Sequence, residues 1–431
     1  MRILLILLSF YSFDIYAVDF NQYCQFNKGE EDCSEEFILA LTDASITKES
    51  ITLNSNETFV LNEVNTAGIH LSDINIIGLS DSTKKPIIKT NKLYLFDIND
   101  LLINNIKIMG INNDEGETKQ SNTLVLIGAK DKYNKASNIT ITNSEFENSA
   151  EDLLVFWNTQ KVIVKNNIFK RSGLAMRIAE TIGDPNDLRP RGSGLLFHNI
   201  INASIESNEF YEMKKFAVFL DGSDILDDDI RIFDNHIDML NFEKPTKRYG
   251  LKGGAGIYIG NSTNSQNIHI LNNRILNYTM NGMRINGDNI IVEKNSFNFN
   301  SACTTADHTI SSPLVGMAIK AHFLTNSKIE NNCVQNTAAG IVLESWENIE
   351  NIDISQNSIY GAITPFYFIN KYGGQHSNIT KENNIISDAV PEKEKNTSSG
   401  SLYILLFISS FFTLKRIFKS AQTQKELVSF S

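Results

Sequence analysis

The stretch Asn267–Phe297, NIHILNNRILNYTMNGMRINGDNIIVEKNSF, says one thing twice. Asn-Ile-His-Ile-Leu-Asn-Asn-Arg-Ile is followed by Asn-Ile-Ile-Val-Glu-Lys-Asn-Ser-Phe, with Met-Arg-Ile-Asn between them. Each copy alternates apolar and polar residues, breaks at an Asn pair or Lys-Asn, and resumes on an apolar residue. Ile275 and Phe297 hold equivalent places 22 positions apart. A short alternating strand, an Asn corner and a second short strand at this period predict one coil of a repeat solenoid.

The corner recurs. The apolar residues that follow it are Phe146, Phe169, Phe210, Ile237, Ile275, Phe297, Val334, Ile359 and Ile385. The shortest spacings, 22 and 23, give the bare coil. Longer ones mark insertions at Gly183–Gly194, Glu243–Gly254 and Ala302–Pro313, where solenoids often carry function. Asn suits the corner because it accepts the left-handed backbone region, and stacked Asn side chains can bond along the axis. The Phe or Ile two places on points inward.

Upstream, Ser34 is expected to cap a short helix with Glu35 and Glu36 in its first turn and Phe37, Leu41 and Ala44 on one face. Such a helix would close the open end of the solenoid. Residues 51–53, 58–61, 68–71 and 74–78 read as the first strands. The organisation is therefore a leader at 1–17, a cap at 18–50, a solenoid at 51–388, a linker at 389–401, an apolar segment at 402–416 and a tail at 417–431.

The repeat Asn-x-x-Ile-x-x-Asn-x-Phe resembles the right-handed parallel β-helix proteins of the pectin-lyase-like superfamily over roughly residues 51–387. The resemblance implies an all-β, right-handed parallel β-helix solenoid with a short N-terminal capping helix. It also points to polysaccharides as partners, through lyases, hydrolases, epimerases, tailspikes or noncatalytic surface proteins. One fold hosts many activities, so function must be argued from the site. The Asp-Pro-His triplet of uronan epimerases and the Asn-Thr-Asp, Asp-Asp and Gly-His-Gly set of polygalacturonases do not occur.

A net charge of -11 argues against a general nucleic-acid binder, which needs a basic face. Met1–Ala17 has the basic start, apolar run and small final residue of a secretory signal peptide. In an oxidising compartment Cys24 with Cys33 and Cys303 with Cys333 could bridge; free thiols are the alternative. Leu402–Leu414, apolar and followed by Lys415-Arg416, is short for a bilayer span, which needs about 20 residues. With Ser398-Ser399-Gly400-Ser401 before it, the segment resembles the GlyGly-CTERM sorting tails of Gram-negative surface proteins. That resemblance implies cleavage near the Ser/Gly motif and attachment to the cell surface; retained, the segment would contact the membrane, and either way the body is expected to be secreted or envelope-anchored. A buried core helix is the other reading.

Aligning the strand after each corner predicts an outward row of Arg177, Phe219, Tyr258, Arg284, Lys320, Val342 and Tyr367. Two residues on, a second row holds Asp221, Asn286, His322 and Glu344. Coils stack about 4.8 Å apart, so these side chains should form one group. Arg binds carboxylates with two parallel hydrogen bonds, and aromatic faces stack on sugars, so the rows suit an anionic polysaccharide. By the resemblance, Lys320 or His322 would be the base of a β-elimination and Arg284 would neutralise the uronate carboxylate. The other row members would bind substrate. Asp221 with the run Asp227-Asp228-Asp229 could bind Ca²⁺, although a charged turn is more often simply solvated. The competing function is a noncatalytic surface β-helix for adhesion, glycan binding or envelope structure.

Overall fold

The computed structural model describes residues 17–24, 32–55, 57–79, 84–111, 123–173, 192–222, 227–239, 254–260, 264–278, 280–298 and 316–387, and the backbone of 176–178 and 188–190. Alternating sequence becomes strand after strand, each paired in parallel with the equivalent strand of the next coil, in one 30-stranded array. This is a parallel β-helix. Its core is a set of axial stacks: Phe146 on Phe169 at 5.1 Å, Phe169 on Phe210 at 4.9 Å, and Phe156 on Phe197 at 5.0 Å. Each fully buried ring contributes roughly 1.5–3 kcal/mol by leaving water.

At the corner, consecutive residues divide two tasks that the sequence assigns to Asn as one. The first residue adopts positive φ and need not be Asn: Ser207, Asp234, Asn272, Lys294 and Gln356 hold equivalent places, with φ between 52° and 56°. The second is always the buried ladder member in the run Asn167, Asn208, Asn235, Asn273, Asn295, Asn332 and Asn357. From Asn208 onward each ladder Oδ1 accepts from the backbone N–H and side-chain amide of the preceding ladder Asn, as Asn273 does from Asn235 at 3.0 and 2.9 Å.

The N-terminal helix is Ser34–Thr47, and Phe37, Leu41 and Ala44 are buried beneath it together with Ala40. Cys33, not Ser34, is the N-cap; Ser34 is the first helical residue and its N–H donates to Asp32 at 3.1 Å. Cys24 and Cys33 form a disulfide that ties this cap together. Ala67 and Gly68 form a turn and residues 69–70 are irregular, so the next strand is Leu71–Gly78. In the last corner it is Ile386, not Ile385, that pairs with Ile359, because the inward place lies two residues after the ladder Asn384.

The three insertions lie largely outside the described residues, as do Cys303, residues 1–16 and everything after 387. Among the described residues no helix is long and apolar enough to cross a membrane.

Candidate functional site

Strand register fixes what the outer face presents. The ladder pairs Phe219 with Tyr258, Tyr258 with Arg284, Arg284 with Lys320, Lys320 with Val342 and Val342 with Tyr367. One member of the expected row is displaced. Arg177 lies in Met176–Ile178, which pairs antiparallel with Leu188–Pro190 in a separate two-stranded sheet. The ladder partner of Phe219 is Leu196, in the strand Ser193–Glu206. Met176–Ile178, which follows the Phe169 corner, is a strand of this separate sheet, and the next rung comes only with Ser193–Glu206.

The second row forms around His322. The Arg284 Nη2 donates to His322 Nδ1 at 2.9 Å. A guanidinium has only donors, so Nδ1 must be the unprotonated nitrogen and Nε2 carries the hydrogen of a neutral ring. That Nε2 lies 3.6 Å from Glu344 Oε2. Glu344 Oε2 also meets Lys320 Nζ at 2.7 Å, and its Oε1 receives Trp346 Nε1 at 3.2 Å and pairs with Lys371. The indole of Trp346 stacks on His322 at 4.2 Å, and Tyr372 meets it edge-on at 5.5 Å. On the other side Arg284 lies over the Tyr258 ring at 4.9 Å, and Phe216 stacks beneath that ring at 4.8 Å.

The electrostatics follow from this packing. Burial disfavours the imidazolium of His322, and the charges of Arg284 and Lys320 disfavour it further, holding its pKa down at about 3. Burial would raise Glu344, but hydrogen bonds from Lys320, Lys371 and Trp346 outweigh it and hold the carboxyl at about 2. Burial also lowers Arg284, with Tyr258 and Glu344 acting against that. The result is a carboxylate clamped by two ammonium groups beside a neutral histidine and a guanidinium.

Asn286, expected to bind ligand, is fully buried and has a different task. A register shift between Ile285 and Gly287 opens the ladder there. The Asn286 Oδ1 accepts from His322 N at 3.0 Å and Phe323 N at 3.3 Å, while its amide donates to Ile259 O at 2.9 Å and to Gly260 O. It positions the backbone of His322. Phe219 stands 5.0 Å from the Tyr258 ring, and Tyr367 is exposed.

Asp221 accepts from a partner the alignment did not include, His198, at 3.1 Å. The run Asp227-Asp228-Asp229 is not a solvated turn: it opens the strand Asp227–Phe233, with Asp227 fully buried. Among the described residues no group of three or more His, Cys, Asp or Glu is placed to hold a metal ion. Trp346, Lys371, His198 and Trp157 are functional candidates that the alignment missed. Trp346 follows Glu344 by two residues, and the chain has only two Trp, which was a usable signal.

No family model matches the chain, and no curated protein sequence matches it significantly. Solved structures do. The catalytic unit of a GH87 α-1,3-glucanase from Streptomyces thermodiastaticus superposes with a TM-score of 0.58 at 10% identity, covering 89% of this chain and 70% of that one. An exopolygalacturonase from Thermotoga maritima gives 0.52 at 13%, covering 87% and 92%. A mutant tailspike of E. coli bacteriophage HK620, in complex with a hexasaccharide, gives 0.57 at 11%, covering 84% and 65%. At these identities the likeness is one of fold: the chain folds as the parallel β-helix of these proteins.

Proposed function

We propose that the face around His322 binds an anionic polysaccharide. The observation that carries this reading is the convergence of Arg284, Lys320 and Lys371 with the rings of Tyr258 and Trp346 on one outer face. Cations held in a fixed array suit repeated carboxylates, and the partly exposed ring of Trp346 suits the apolar face of a sugar, while the buried Tyr258 ring supports Arg284 from behind. That the structural likeness includes a glucanase, a polygalacturonase and a tailspike in complex with a hexasaccharide supports a polysaccharide ligand, and the three cations support its anionic character. By the same proposal the protein lies outside the cytoplasm and is held at the envelope, a reading supported by the expected leader at 1–17 and the apolar segment at 402–416.

A second reading, β-elimination, is favoured by the pairing of Arg284 with Lys320 on adjacent coils. Arg284 would neutralise a uronate carboxylate while a base removes the neighbouring C5 proton. The C4–O4 bond then breaks with its electron pair leaving on oxygen, and a C4–C5 double bond forms. His322 is a poor base here, because Arg284 occupies its lone pair and Nε2 bears hydrogen. Lys320 can serve as the base only as the free amine, so its ammonium proton must first pass to the Glu344 carboxylate 2.7 Å away.

One panel tests both readings. Polygalacturonate, alginate and hyaluronan are titrated by calorimetry, and the absorbance of unsaturated product is followed in parallel. Arg284→Ala is expected to weaken binding by about 30-fold or more, the effect of truncating a partly buried charged contact. Lys320→Ala should abolish any product. Failure of all three polymers to bind the wild-type chain rejects the proposal. Binding without product leaves the noncatalytic form, a glycan-binding surface protein.

A further inference from the structure

The chain contains two tryptophans, both partly exposed: Trp157 on the row that carries His322, and Trp346 two residues past Glu344, a member of that row. Trp157 pairs in register with His198, and the row continues through Asp221 and Gly260 to Asn286, His322 and Glu344. The two ends are built alike. The Trp157 ring lies 4.3 Å from that of His198, whose Nδ1 is 3.1 Å from Asp221. Trp346 lies 4.2 Å from His322, whose Nε2 is 3.6 Å from Glu344. Each is an indole against an imidazole that faces a carboxylate.

The row is low between these ends. Gly260 carries no side chain, and a Cβ there would meet Gly222 N at 2.9 Å, so the site admits none without backbone movement. Asn286 is buried. Lys215 Nζ lies over Phe216 at 4.7 Å and over Phe219 of the neighbouring row at 5.9 Å, adding a cation to that row. His198 and His322 are separated by four inter-coil steps of about 4.8 Å, or ~19 Å.

We propose that Trp157, His198 and Asp221 form a second, distal sugar subsite, and that the ligand is a linear glycan lying along the helix axis in contact with both tryptophan clusters. An extended sugar ring advances about as far as one coil, so about four rings bridge the two histidines and a chain of roughly six is needed to cover both indoles. Trp157 offers the stacking surface, and His198 Nε2, directed away from its bond to Asp221, offers a polar contact to a hydroxyl. The inference rests on the anionic-polysaccharide reading of the His322 face, and adds a minimum length and a direction to it.

Oligogalacturonates of three and of eight residues, titrated against the full chain with intrinsic fluorescence and calorimetry, test it. The wild type should bind the octamer at least about tenfold more tightly than the trimer. Trp157→Ala should reduce octamer affinity by about tenfold, the scale of one aromatic contact, while trimer affinity stays unchanged. Trp157→Phe, which keeps a ring and serves as the folding control, should recover most of the octamer affinity. Arg284→Ala should weaken both ligands. If the octamer binds Trp157→Ala as tightly as the wild type, the distal subsite is rejected and the His322 face stands. If neither oligomer binds the wild type, the polysaccharide reading fails, and the subsite with it.

Discussion

Replacing Asn273 by alanine is expected to destabilise the solenoid by about 3–5 kcal/mol, read as a lower denaturant midpoint. The side chain is buried and every polar atom on it is engaged. Its Oδ1 accepts from Asn235 N and Nδ2; its own amide donates to Ile232 O at 2.8 Å, Leu271 O at 3.1 Å and Asn295 Oδ1 at 3.0 Å. Truncation leaves the Asn235 N–H without its acceptor and takes a donor from the Ile232 carbonyl in a site that water cannot reach, at about 1–3 kcal/mol for each group left unsatisfied. A cavity of lost side-chain volume adds to this. Asn272→Gly is the matched comparison. Asn272 supplies φ 54° and a partly exposed bond to Asp234, and glycine keeps the φ, so its effect should stay below about 1 kcal/mol. Equal losses at the two positions would show that the ladder carries no special share of the stability.

Asp227→Asn is expected to raise stability at pH 8 by about 2–4 kcal/mol and to leave it nearly unchanged at pH 4. Burial raises the Asp227 carboxyl to about 7, and the charge of Asp221 adds to this, while the hydrogen bond from Ile200 N, His198 and Lys135 act in the opposite direction. The bond from Ile200 N to Oδ1 is 3.0 Å, and Oδ2 is buried without a partner. The sign follows by linkage. Below about pH 4 both the folded and the unfolded chains hold the proton, and Asp227 brings no penalty. Between about 4 and 7 the unfolded chain releases it while the folded chain keeps it, so folding weakens by up to about 1.4 kcal/mol per pH unit. Above 7 the loss is complete and constant. Asparagine retains the acceptor for Ile200 and has no charge to bury, so its stability curve should be flatter across that window. Denaturation at pH 4, 6 and 8 checks this; parallel curves for the two proteins would mean that Asp227 is ionised in the fold without penalty.

The coil was legible because strand alternation and the corner are local signals, repeated at a fixed period. So was the order of the first row from Phe219 to Tyr367: once equivalent places are known, parallel pairing puts them side by side. The alignment failed at Arg177, where a strand of a separate sheet intervenes between corner and rung and nothing local distinguishes it from the next strand. It also merged the two corner tasks, since Asn272-Asn273 satisfies both and only Lys294-Asn295 or Gln356-Asn357 separates them.

By itself, then, the sequence determined the solenoid, its inward stacks and which side chains share the outer face, all consequences of a period of two within each strand and about 22 between coils. Tertiary structure alone decided what those side chains can do. Protonation and reach depend on neighbours far apart in the chain: Arg284 fills the lone pair of His322, and Lys371 from a later coil completes the clamp on Glu344. Asp227 looks like a solvated charge until Ile200 closes over it. Burial and pairing of charge are set by which coils meet, and spacing along one strand does not encode them.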